Sequence, residues 1–414
     1  MRRLILKHFR IVDADSDFFG SLIVENGIIT NIINSDNDIG NDDAEIVING
    51  AAFGSSAVLM PSFIDLHAHF RDSGSFSNKN LLPSELLESA SLAAVKGGFT
   101  TIICMANTNP VIDTAEKAAA LKKCSDALGL IDLYPVLSLT KNMEGKELSE
   151  IKNIQHAPIL MFSEDGKDIA DDDLFLAAMT EAQRLGIPVS CHCDINGELN
   201  AVRRAIALGK KAGCHVHIAH VSTKETVELI RVEKSKHNIA LSCEVTPHHI
   251  GANIEDARRM GETSFGRVNP PLQTVDNCHS IVYALRDETI DAIATDHAPH
   301  TQADKATGAP GFSGLETAFA ASCTYLAADI GLQQLSALMS KNPARILSLH
   351  DRGVIAKGLR ADLLIADTQK QWKVDPEQFK SRGKCSPFTG KELRGKAVMT
   401  INAGNIVYAG DGIV

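Results

Sequence analysis

The sequence lacks any apolar run that approaches the ~18 residues of a membrane-spanning helix. It also lacks an excess of positive charge, because 51 Asp and Glu residues outnumber 41 Lys and Arg residues and give a formal net charge of −10. This balance argues against nucleic acid or an anionic membrane as the main partner. The basic amino terminus is interrupted by Lys7 and Arg10 before it builds an apolar core, so no signal peptide is predicted.

Nine cysteines are present, but their spacing matches no disulfide framework. An odd number of cysteines in a long chain without a predicted signal peptide indicates reduced thiols and a cytoplasmic location. Cys191 and Cys193 flank His192, yet a strand would direct both thiols away from that imidazole. We therefore expect the two cysteines to be packing residues and not ligands.

Regular alternation is the main feature that the sequence does have. Hydrophobic residues make up 44% of the chain, and from residue 57 onward eight apolar runs are separated mostly by helix-sized spacers. This order predicts an α/β fold, a (β/α)8 TIM-like barrel over residues 57–350, with a doubly wound sheet as the rival arrangement. Residues 1–56 and 351–414 contain short strand patterns, including a hairpin turn at Glu25-Asn26-Gly27. They predict one small β-rich annex domain built from both chain ends.

The first strand predicted for the barrel covers residues 57–64 and leads into Asp65-Leu66-His67-Ala68-His69-Phe70-Arg71. Because alternate side chains share one face of a strand, His67, His69 and Arg71 are expected to point the same way. Two imidazoles on one face can bind one metal ion, and Arg71 beside them offers a fixed cation for a substrate carboxylate. The alternatives are packed or surface histidines, and a surface ion pair for Arg71.

Polar residues recur where the other predicted barrel strands end, which is where barrel enzymes have their active sites. They are Asn107 after strand two, Asp165 after strand four, His192 after strand five, His220 after strand six and Asp296 after strand eight. Four histidines and two aspartates suffice for two divalent cations with a bridging ligand. On strand six, His220 shares a face with Val216 and Ile218, which we interpret as the inward face. His215 and His217 are then expected to pack against helices.

Asp296 is the candidate proton acceptor, because a carboxylate at this strand end can touch a metal and still accept a proton from water that the metal activates. His300 follows within reach of a substrate. His297 is an alternative ligand, whereas His248 and His249 are expected behind the ligands or in a loop.

The motifs around these residues resemble those of the dihydroorotases, a group within the amidohydrolase superfamily, and in particular its single-chain bacterial members. They follow the family's order over nearly the whole chain: Asp65-Leu66-His67-Ala68-His69-Phe70-Arg71, Gly97-Gly98-Phe99-Thr100-Thr101, Met105-Ala106-Asn107-Thr108, Phe162-Ser163-Glu164-Asp165-Gly166, His220-Val221-Ser222-Thr223, Glu244-Val245-Thr246-Pro247-His248-His249, Val268-Asn269-Pro270-Pro271-Leu272 and Ala294-Thr295-Asp296-His297-Ala298-Pro299-His300. The resemblance implies an enzyme of de novo pyrimidine (UMP) biosynthesis that reversibly cyclises N-carbamoyl-L-aspartate to L-dihydroorotate and water.

The resemblance also implies two zinc ions and a set of substrate contacts. One ion would bind His67, His69 and Asp296, the other His192 and His220, and Asp165 would bridge them where many relatives use a carbamylated lysine. The substrate carboxylate would meet Arg71, Asn107 and His300, and the ring amide would meet Asn269 and the backbone near Pro310 and Gly311. The metal ligand His69 would also contact the substrate. Asp296 would take a proton from the attacking hydroxide and pass it to the leaving nitrogen, with the reverse transfer in cyclisation.

The chain departs from the family's motifs in a few places. Asp72-Ser73-Gly74 stands where many relatives have Glu-Pro-Gly, and Ala106 stands in place of a proline. The segment between His192 and His220 is shorter than in relatives, and so is the loop over residues 300–311, which is a mobile substrate lid in the family. None of these departures removes an implied metal ligand.

Two other functions compete with this interpretation. A hydantoinase or allantoinase would share the fold and metals, but a neutral ring does not need the carboxylate contacts of Arg71, Asn107 and His300. A metal-free barrel that serves as a structural partner of aspartate transcarbamoylase would be expected to have lost ligands, and this sequence has all six. The partner that we expect is a small-molecule substrate, with no nucleic acid and no membrane. A homodimer and an association with aspartate transcarbamoylase are left open.

Overall fold

The structure is a computed structural model that describes residues 3–35, 44–77, 83–154 and 157–410. The strands in these ranges are β1 (Arg3–Val12), β2 (Asp17–Glu25), β3 (Ile28–Ile33), β4 (Ile46–Asn49), β5 (Ala57–Pro61), β6 (Phe63–Ala68), β7 (Phe99–Cys104), β8 (Asp132–Pro135), β9 (Phe162–Ser163), β10 (Val189–Cys191), β11 (Val216–Ile218), β12 (Leu241–Val245), β13 (Ala292–Ile293), β14 (Leu363–Lys373), β15 (Glu392–Asn402) and β16 (Asn405–Ala409).

The α-helices in the same ranges are α1 (Leu87–Gly97), α2 (Ala115–Leu128), α3 (Asp172–Leu185), α4 (Glu198–Ala212), α5 (Lys224–Ser235), α6 (Pro247–Gly251), α7 (Ile254–Met260), α8 (Val275–Arg286), α9 (Gln302–Ala306), α10 (Ala318–Tyr325), α11 (Leu332–Ser336) and α12 (Asn342–Ile346). Short 3-10 turns cover Gly50–Phe53, Gly74–Phe76, Lys141–Met143, Ile151–Asn153 and Pro376–Gln378, and π-helical turns cover Gly261–Phe265 and Ala337–Lys341. In this part of the chain, every helix is too short or too polar to cross a bilayer.

The annex is one sheet, ordered β16-β15-β14-β5-β1-β2-β3 with β4 beside β1. Strands β2 and β3 form the predicted hairpin, and its turn residues Asn26 and Gly27 have φ angles of 52° and 82°, as a primed turn requires. Leu6, Leu59 and Ile365 are fully buried in the same apolar cluster, although they are far apart in the sequence. Both chain ends therefore supply one core, as predicted for the annex.

Strands β6 to β13 form the barrel as two parallel sheets, β6-β7-β8 and β9-β10-β11-β12-β13. Two more parallel pairings join these sheets into a ring: Leu137 pairs with Phe162, and Ala68 pairs with His297. Because all eight strands run the same way, their carboxyl ends meet at one mouth. The predicted fold, a (β/α)8 barrel with a β-rich annex, is confirmed.

The change from annex to barrel occurs at Ser62. Residues 57–64 do not form the single strand that we predicted, because Leu59 of β5 pairs with Ile365 in the annex sheet, whereas Phe63 of β6 pairs with Phe99 in the barrel. The domain limits 1–56, 57–350 and 351–414 stay a prediction. Within them, residues 1–2, 36–43, 78–82, 155–156 and 411–414 lie outside the described residues.

Candidate metal centre and active site

The barrel mouth is built on unusual backbone. Arg71, His220 and Asp296 have φ angles of 58°, 35° and 43°, each just past the carboxyl end of its strand. Non-glycine residues rarely occupy this left-handed region, and those that do concentrate at functional sites. The left-handed turn breaks the alternation of the strand, so the side chain that follows is aimed by the turn and not by the pleat.

Two histidines and one aspartate form the first cluster at the mouth. Nε2 of His67 lies 3.2 Å from Nε2 of His69, and Oδ1 of Asp296 lies 3.1 Å from the His69 nitrogen and 3.6 Å from the His67 nitrogen. All three side chains are buried, and their ligand atoms are close enough to share one ion. Nitrogen and carboxylate ligands in this number suit zinc or a similar divalent metal.

Asp165 lies at the centre of the four histidines. Its Oδ1 is 3.3 Å from Nε2 of His67, 3.2 Å from Nδ1 of His192 and 3.6 Å from Nε2 of His220, while its Oδ2 is 3.3 Å from Nε2 of His69. Nδ1 of His192 and Nε2 of His220 are 3.0 Å apart. The structure therefore brings all six predicted ligands together, with Asp165 between the two pairs of imidazoles.

The donor set fits a divalent cation. Nδ1 of His67 donates to Oε1 of Glu244 over 2.8 Å, and Nδ1 of His69 donates to Oδ1 of Asn107 over 2.8 Å, so Nε2 of both rings is left for the cluster. Burial acts to raise the pKa of Asp165, but the surrounding histidines outweigh it and hold that pKa well below its usual range. Burial acts to lower the pKa of His67, but the carboxylates of Asp165, Glu244 and Asp296 outweigh it and raise that pKa. The buried carboxylates of the cluster thus favour positive charge beside them, and a divalent ion would supply it.

A buried chain of hydrogen bonds stands behind His67. His215 donates through Nε2 to Ser242 Oγ (2.8 Å), Ser242 donates to Nδ1 of His217 (2.8 Å), and His217 donates through Nε2 to Oε2 of Glu244 (3.0 Å). Glu244 then accepts the Nδ1 proton of His67 on its other oxygen. Because every donor has an acceptor, the direction of each bond in the chain is fixed.

Our prediction that His215 and His217 pack against helices is wrong. Val216 faces outward instead, because Gly209 of α4 lies so close that an added Cβ would stand 2.2 Å from a Val216 methyl carbon. Strand β11 ends at Ile218, and the left-handed His220 then turns back to the mouth, so it does not share the face of Val216. The prediction failed because it extended the alternation of side chains along β11 beyond Ile218, where the strand ends.

Glu244 and His217 are the site residues that sequence reasoning missed. Burial acts to raise the pKa of Glu244, but hydrogen bonds from His217 and His67 outweigh it and lower the pKa to about 2. The carboxylate is therefore ionised and accepts two hydrogen bonds at neutral pH. An ionisable residue within the otherwise apolar end of strand β12 was the signal that could have found it.

Arg71 is the cation at the mouth. Its Nη2 approaches Nε2 of His300 to 3.4 Å, its Nε is buried without a hydrogen-bond partner, and among the described residues it forms no ion pair with a carboxylate. Burial and the Arg71 charge lower the pKa of His300 to about 4, so the imidazole is neutral near pH 7. A guanidinium in this position is ready for an anionic group that comes from outside the chain.

The other predicted substrate residues surround the same mouth. Asn107 accepts from His69, as described above, and Nδ2 of Asn269 lies 3.0 Å from Nε2 of His192. His300 donates through Nε2 to the carbonyl oxygen of Pro310 (2.9 Å), and the Gly311 amide donates to the carbonyl oxygen of Arg267 (3.0 Å). Side chains from four of the barrel's loops thus converge on the ligand cluster.

The alternative histidines lie outside the ligand cluster. Nδ1 of His297 accepts from the Gly314 amide (3.1 Å), and its Nε2 is 3.7 Å from Glu85. His249 lies in the short helix α6 and donates through Nε2 to the carbonyl oxygen of Pro270 (3.1 Å). Each of these two rings therefore has a hydrogen bond to the backbone outside the ligand cluster.

The sequence profile of the Amidohydrolase family matches residues 58–407. The chain belongs to the amidohydrolase family. Within it, a dihydroorotase from Clostridium botulinum (strain Eklund 17B / Type B) is 38% identical over 417 residues, covering 98% of this chain and 99% of the relative. A dihydroorotase from Clostridium acetobutylicum (strain ATCC 824) is 37% identical over 410 residues, covering 91% and 93%. These relatives place the chain among the dihydroorotases, as its motifs predicted.

A solved structure of similar shape is the L-hydantoinase (dihydropyrimidinase) from Arthrobacter aurescens, with a TM-score of 0.85 and 26% identity over 99% of this chain and 96% of the other. The amidohydrolase architecture is therefore shared from end to end. The family and the buried cluster of histidines and aspartate together indicate a divalent-metal site in a hydrolase that acts on a small molecule.

Proposed function

We propose that this amidohydrolase is a zinc-dependent dihydroorotase, which cyclises N-carbamoyl-L-aspartate reversibly to L-dihydroorotate and water in de novo pyrimidine biosynthesis. Relatives named dihydroorotase that match it over almost its full length support this reaction. The observation that carries the choice of substrate is Arg71, a half-buried cation beside the ligand cluster with no carboxylate of its own among the described residues. Both the open and the cyclic substrate have a carboxylate to offer it.

Two zinc ions are the cofactor that we propose. His67, His69 and Asp296 would hold one, His192 and His220 the other, and Asp165 would bridge them. The contacts of Asp165 with all four imidazoles support the bridging role. When bound, the ions would generate a nucleophile from water near neutral pH and polarise the amide carbonyl.

Asp296 has the proton-transfer role in this proposal. Burial acts to raise the pKa of Asp296, but the contact with His69 and the neighbouring imidazoles outweigh it and keep that pKa well below its usual range. The carboxylate is therefore ionised at neutral pH, the state that a proton acceptor needs. In hydrolysis it takes the proton of the attacking water and gives it to the ring nitrogen that leaves. In cyclisation it takes the proton from the carbamoyl nitrogen.

The remaining mouth residues orient the substrate. Arg71 would bind the free carboxylate in a bidentate contact, with Asn107 and His300 beside it and His69 at the edge of the metal cluster. Asn269 and the backbone at Pro310 and Gly311 would meet the ring amide, on the side of His192 where the Asn269 side chain lies. These contacts hold the reacting nitrogen and carbonyl carbon together, which lowers the entropic part of the barrier.

Two measurements on the purified protein test this proposal. Elemental analysis should find close to two zinc ions, or equivalent divalent ions, per chain. Steady-state assays should show turnover of L-dihydroorotate and N-carbamoyl-L-aspartate, with hydantoin a poor substrate. Efficient hydantoin turnover without dihydroorotate turnover would replace the proposal by a hydantoinase, the activity named for the Arthrobacter aurescens structure.

We also propose that the enzyme works in the cytoplasm, which is supported by the free state of all nine cysteines. A homodimer and an association with aspartate transcarbamoylase stay predictions. Analytical ultracentrifugation of the protein alone, and then mixed with aspartate transcarbamoylase, would test both.

A further inference from the structure

A buried lysine lies in the segment that follows His300. Lys305 is only 1% exposed, and its Nζ donates to three backbone carbonyl oxygens, those of Arg267 (2.8 Å), Ala309 (2.9 Å) and Gly311 (2.9 Å). The ammonium also lies 5.2 Å from the centre of the Phe312 ring. A buried ammonium has three N–H donors, and here each of them has an acceptor.

The segment around Lys305, residues 300–311, is itself folded. Thr301 caps helix α9, and Asp304 completes a capping box with it. After the helix, the Ala309 amide donates to the carbonyl oxygen of Asp304 (2.9 Å), and His300 at the start of the segment donates to that of Pro310 at its end (2.9 Å). Its two ends are thus tied to each other by a side chain that faces the mouth.

The segment is also joined to the preceding loop of the mouth. Nη1 of Arg267 donates to the carbonyl oxygen of Gly308 (2.9 Å), and the Gly311 amide donates to the carbonyl oxygen of Arg267 (3.0 Å). Gly308, with a φ of 91°, approaches so closely that an added Cβ would stand 2.7 Å from the carbonyl oxygen of Thr263. The Arg267 loop carries Asn269, so one unit presents both Asn269 and His300 to the mouth.

We propose that Lys305 is a positioning residue that fixes residues 300–311 as a permanent wall of the substrate pocket, not as a lid that closes after substrate binds. The ammonium ties helix α9 and the carboxyl end of the segment to the Arg267 loop through charge-assisted bonds, which are stronger than bonds between neutral groups. Opening the segment would separate Lys305 and Gly311 from the Arg267 carbonyl. The position of the wall rests on the structure alone, whereas its effect on dihydroorotate rests on the proposed function.

Hydrogen exchange tests the wall without any assumption about the reaction. In the free enzyme with its metal, the amides of Lys305, Gly308, Ala309 and Gly311, which all donate to backbone carbonyls, should exchange at least ~10-fold more slowly than unprotected amides. An equilibrium mixture of N-carbamoyl-L-aspartate and L-dihydroorotate should leave their rates nearly unchanged. Unprotected rates in the free enzyme that fall only with substrate would show a lid and overturn the proposal.

Substitution of Lys305 tests its part in the wall. Lys305→Met keeps an unbranched apolar side chain and removes the three donors, so exchange over residues 300–311 should rise at least ~10-fold. If the proposed reaction holds, KM for dihydroorotate should rise ~10-fold or more while kcat changes less and metal content stays constant. Lys123→Met, at an exposed lysine of α2, is the matched control and should change neither exchange in the segment nor KM.

A milder variant covers the case in which Lys305→Met fails to fold. Thr301→Ala removes only the cap of α9 and should give a smaller increase in exchange and in KM, in the same directions. Unchanged exchange and unchanged KM in both folded variants would show that Lys305 only fills space. If the wild-type enzyme does not turn over dihydroorotate, the proposed function is refuted. The exchange result would still decide whether the wall is fixed.

Discussion

The two halves of the mouth are held in different ways. In the metal half, each imidazole of the first cluster has a partner behind it, Glu244 for His67 and Asn107 for His69. In the substrate half, Arg71 has a buried Nε without a partner, and His300 is held by a backbone carbonyl and not by another side chain. The first metal cluster thus has its supporting hydrogen bonds within the chain, although Nδ1 of His220 in the second pair lacks such a partner among the described residues. The substrate half presents a cation that can bind an anionic group from outside the chain.

This difference separates the two halves experimentally. Changes behind the metal half should lower metal affinity and activity together, because misoriented imidazoles bind metal poorly. Changes in the substrate half should lower activity and leave metal content alone. The predictions below test that separation, from the largest expected effect to the smallest.

Asp296 belongs to the metal half but is proposed to transfer the proton. Asp296→Asn keeps the shape and one oxygen that can face the metal, but it cannot accept a proton. We expect the rate to fall ~10²–10⁴-fold, with dihydroorotate affinity nearly unchanged because Arg71, Asn107 and His300 remain. The acidic limb of the pH–rate profile should also disappear, since the group that must be ionised is gone.

A binding titration, metal analysis and a pH–rate profile on Asp296→Asn check each part of this prediction. Near-normal turnover would assign the proton transfer to another group. Loss of both metal and binding would show that Asp296 acts mainly as a ligand.

Arg71 tests the substrate half directly. Arg71→Met keeps much of the apolar stem and removes the charge, and a bidentate charged contact contributes up to about 3 kcal/mol, so kcat/KM for dihydroorotate should fall about 100-fold. Metal content should stay at the wild-type value, and Arg71→Lys should lose less because it keeps a positive charge. Wild-type kinetics in Arg71→Met would contradict the carboxylate role and favour a hydantoinase.

Glu244 tests the partners behind the metal half. Glu244→Gln keeps the shape but places an amide N–H against Nδ1 of His67 or Nε2 of His217, both of which donate in the wild type. We expect metal affinity to fall about 10–100-fold in a chelator competition assay. Ser242→Ala, two hydrogen bonds further from the metal, is the matched control and should have a smaller effect. Equal affinities for Glu244→Gln and wild type would mean that His67 is oriented by packing alone.

His215 tests the far end of the same chain through pH. Burial and the neighbouring His217 lower the pKa of His215 to about 4 from its ordinary value of 6.5. Between these values the unfolded chain binds a proton that the folded chain does not, so the free energy of unfolding falls as pH drops from 6.5 towards 4. In His215→Gln this fall should be shallower.

Chemical denaturation of the metal-free protein at several pH values measures this dependence without metal-linked protons. His279→Gln, at an exposed histidine, is the matched control. The same slope in His215→Gln and wild type would contradict the prediction.

The convergence of the candidate ligands could be predicted because it depends only on strand ends. In a barrel, the carboxyl ends of all strands meet at one mouth, so His67, Asp165 and Asp296 had to approach each other once their strands were located. The orientation of side chains past a strand end could not be predicted in this way. His217 and His220 illustrate this, because the left-handed backbone at His220 ends the alternation on which the prediction relied.

Residues whose role depends on distant partners were also beyond the sequence. Glu244 is defined by His67, which is 177 residues away, and Lys305 by the Arg267 carbonyl, which is 38 residues away. Nothing in the local pattern around Lys305 distinguishes it from an exposed lysine of a loop. The split of residues 57–64 at Ser62 has a similar cause, because the partner of β5 is strand β14 near the other end of the chain.

The pairing of β5 with β14 has a consequence for the order in which the protein is made. Ala57 pairs with Asp367, so β5 has no antiparallel neighbour until the ribosome has released almost the whole chain. A barrel that folds during synthesis would do so while its first strand is joined to a half-built sheet with an open edge at Leu59. The annex sheet can be completed only after β14 has been made, so a ribosome that stalls before β14 would leave a chain that presents this edge to chaperones.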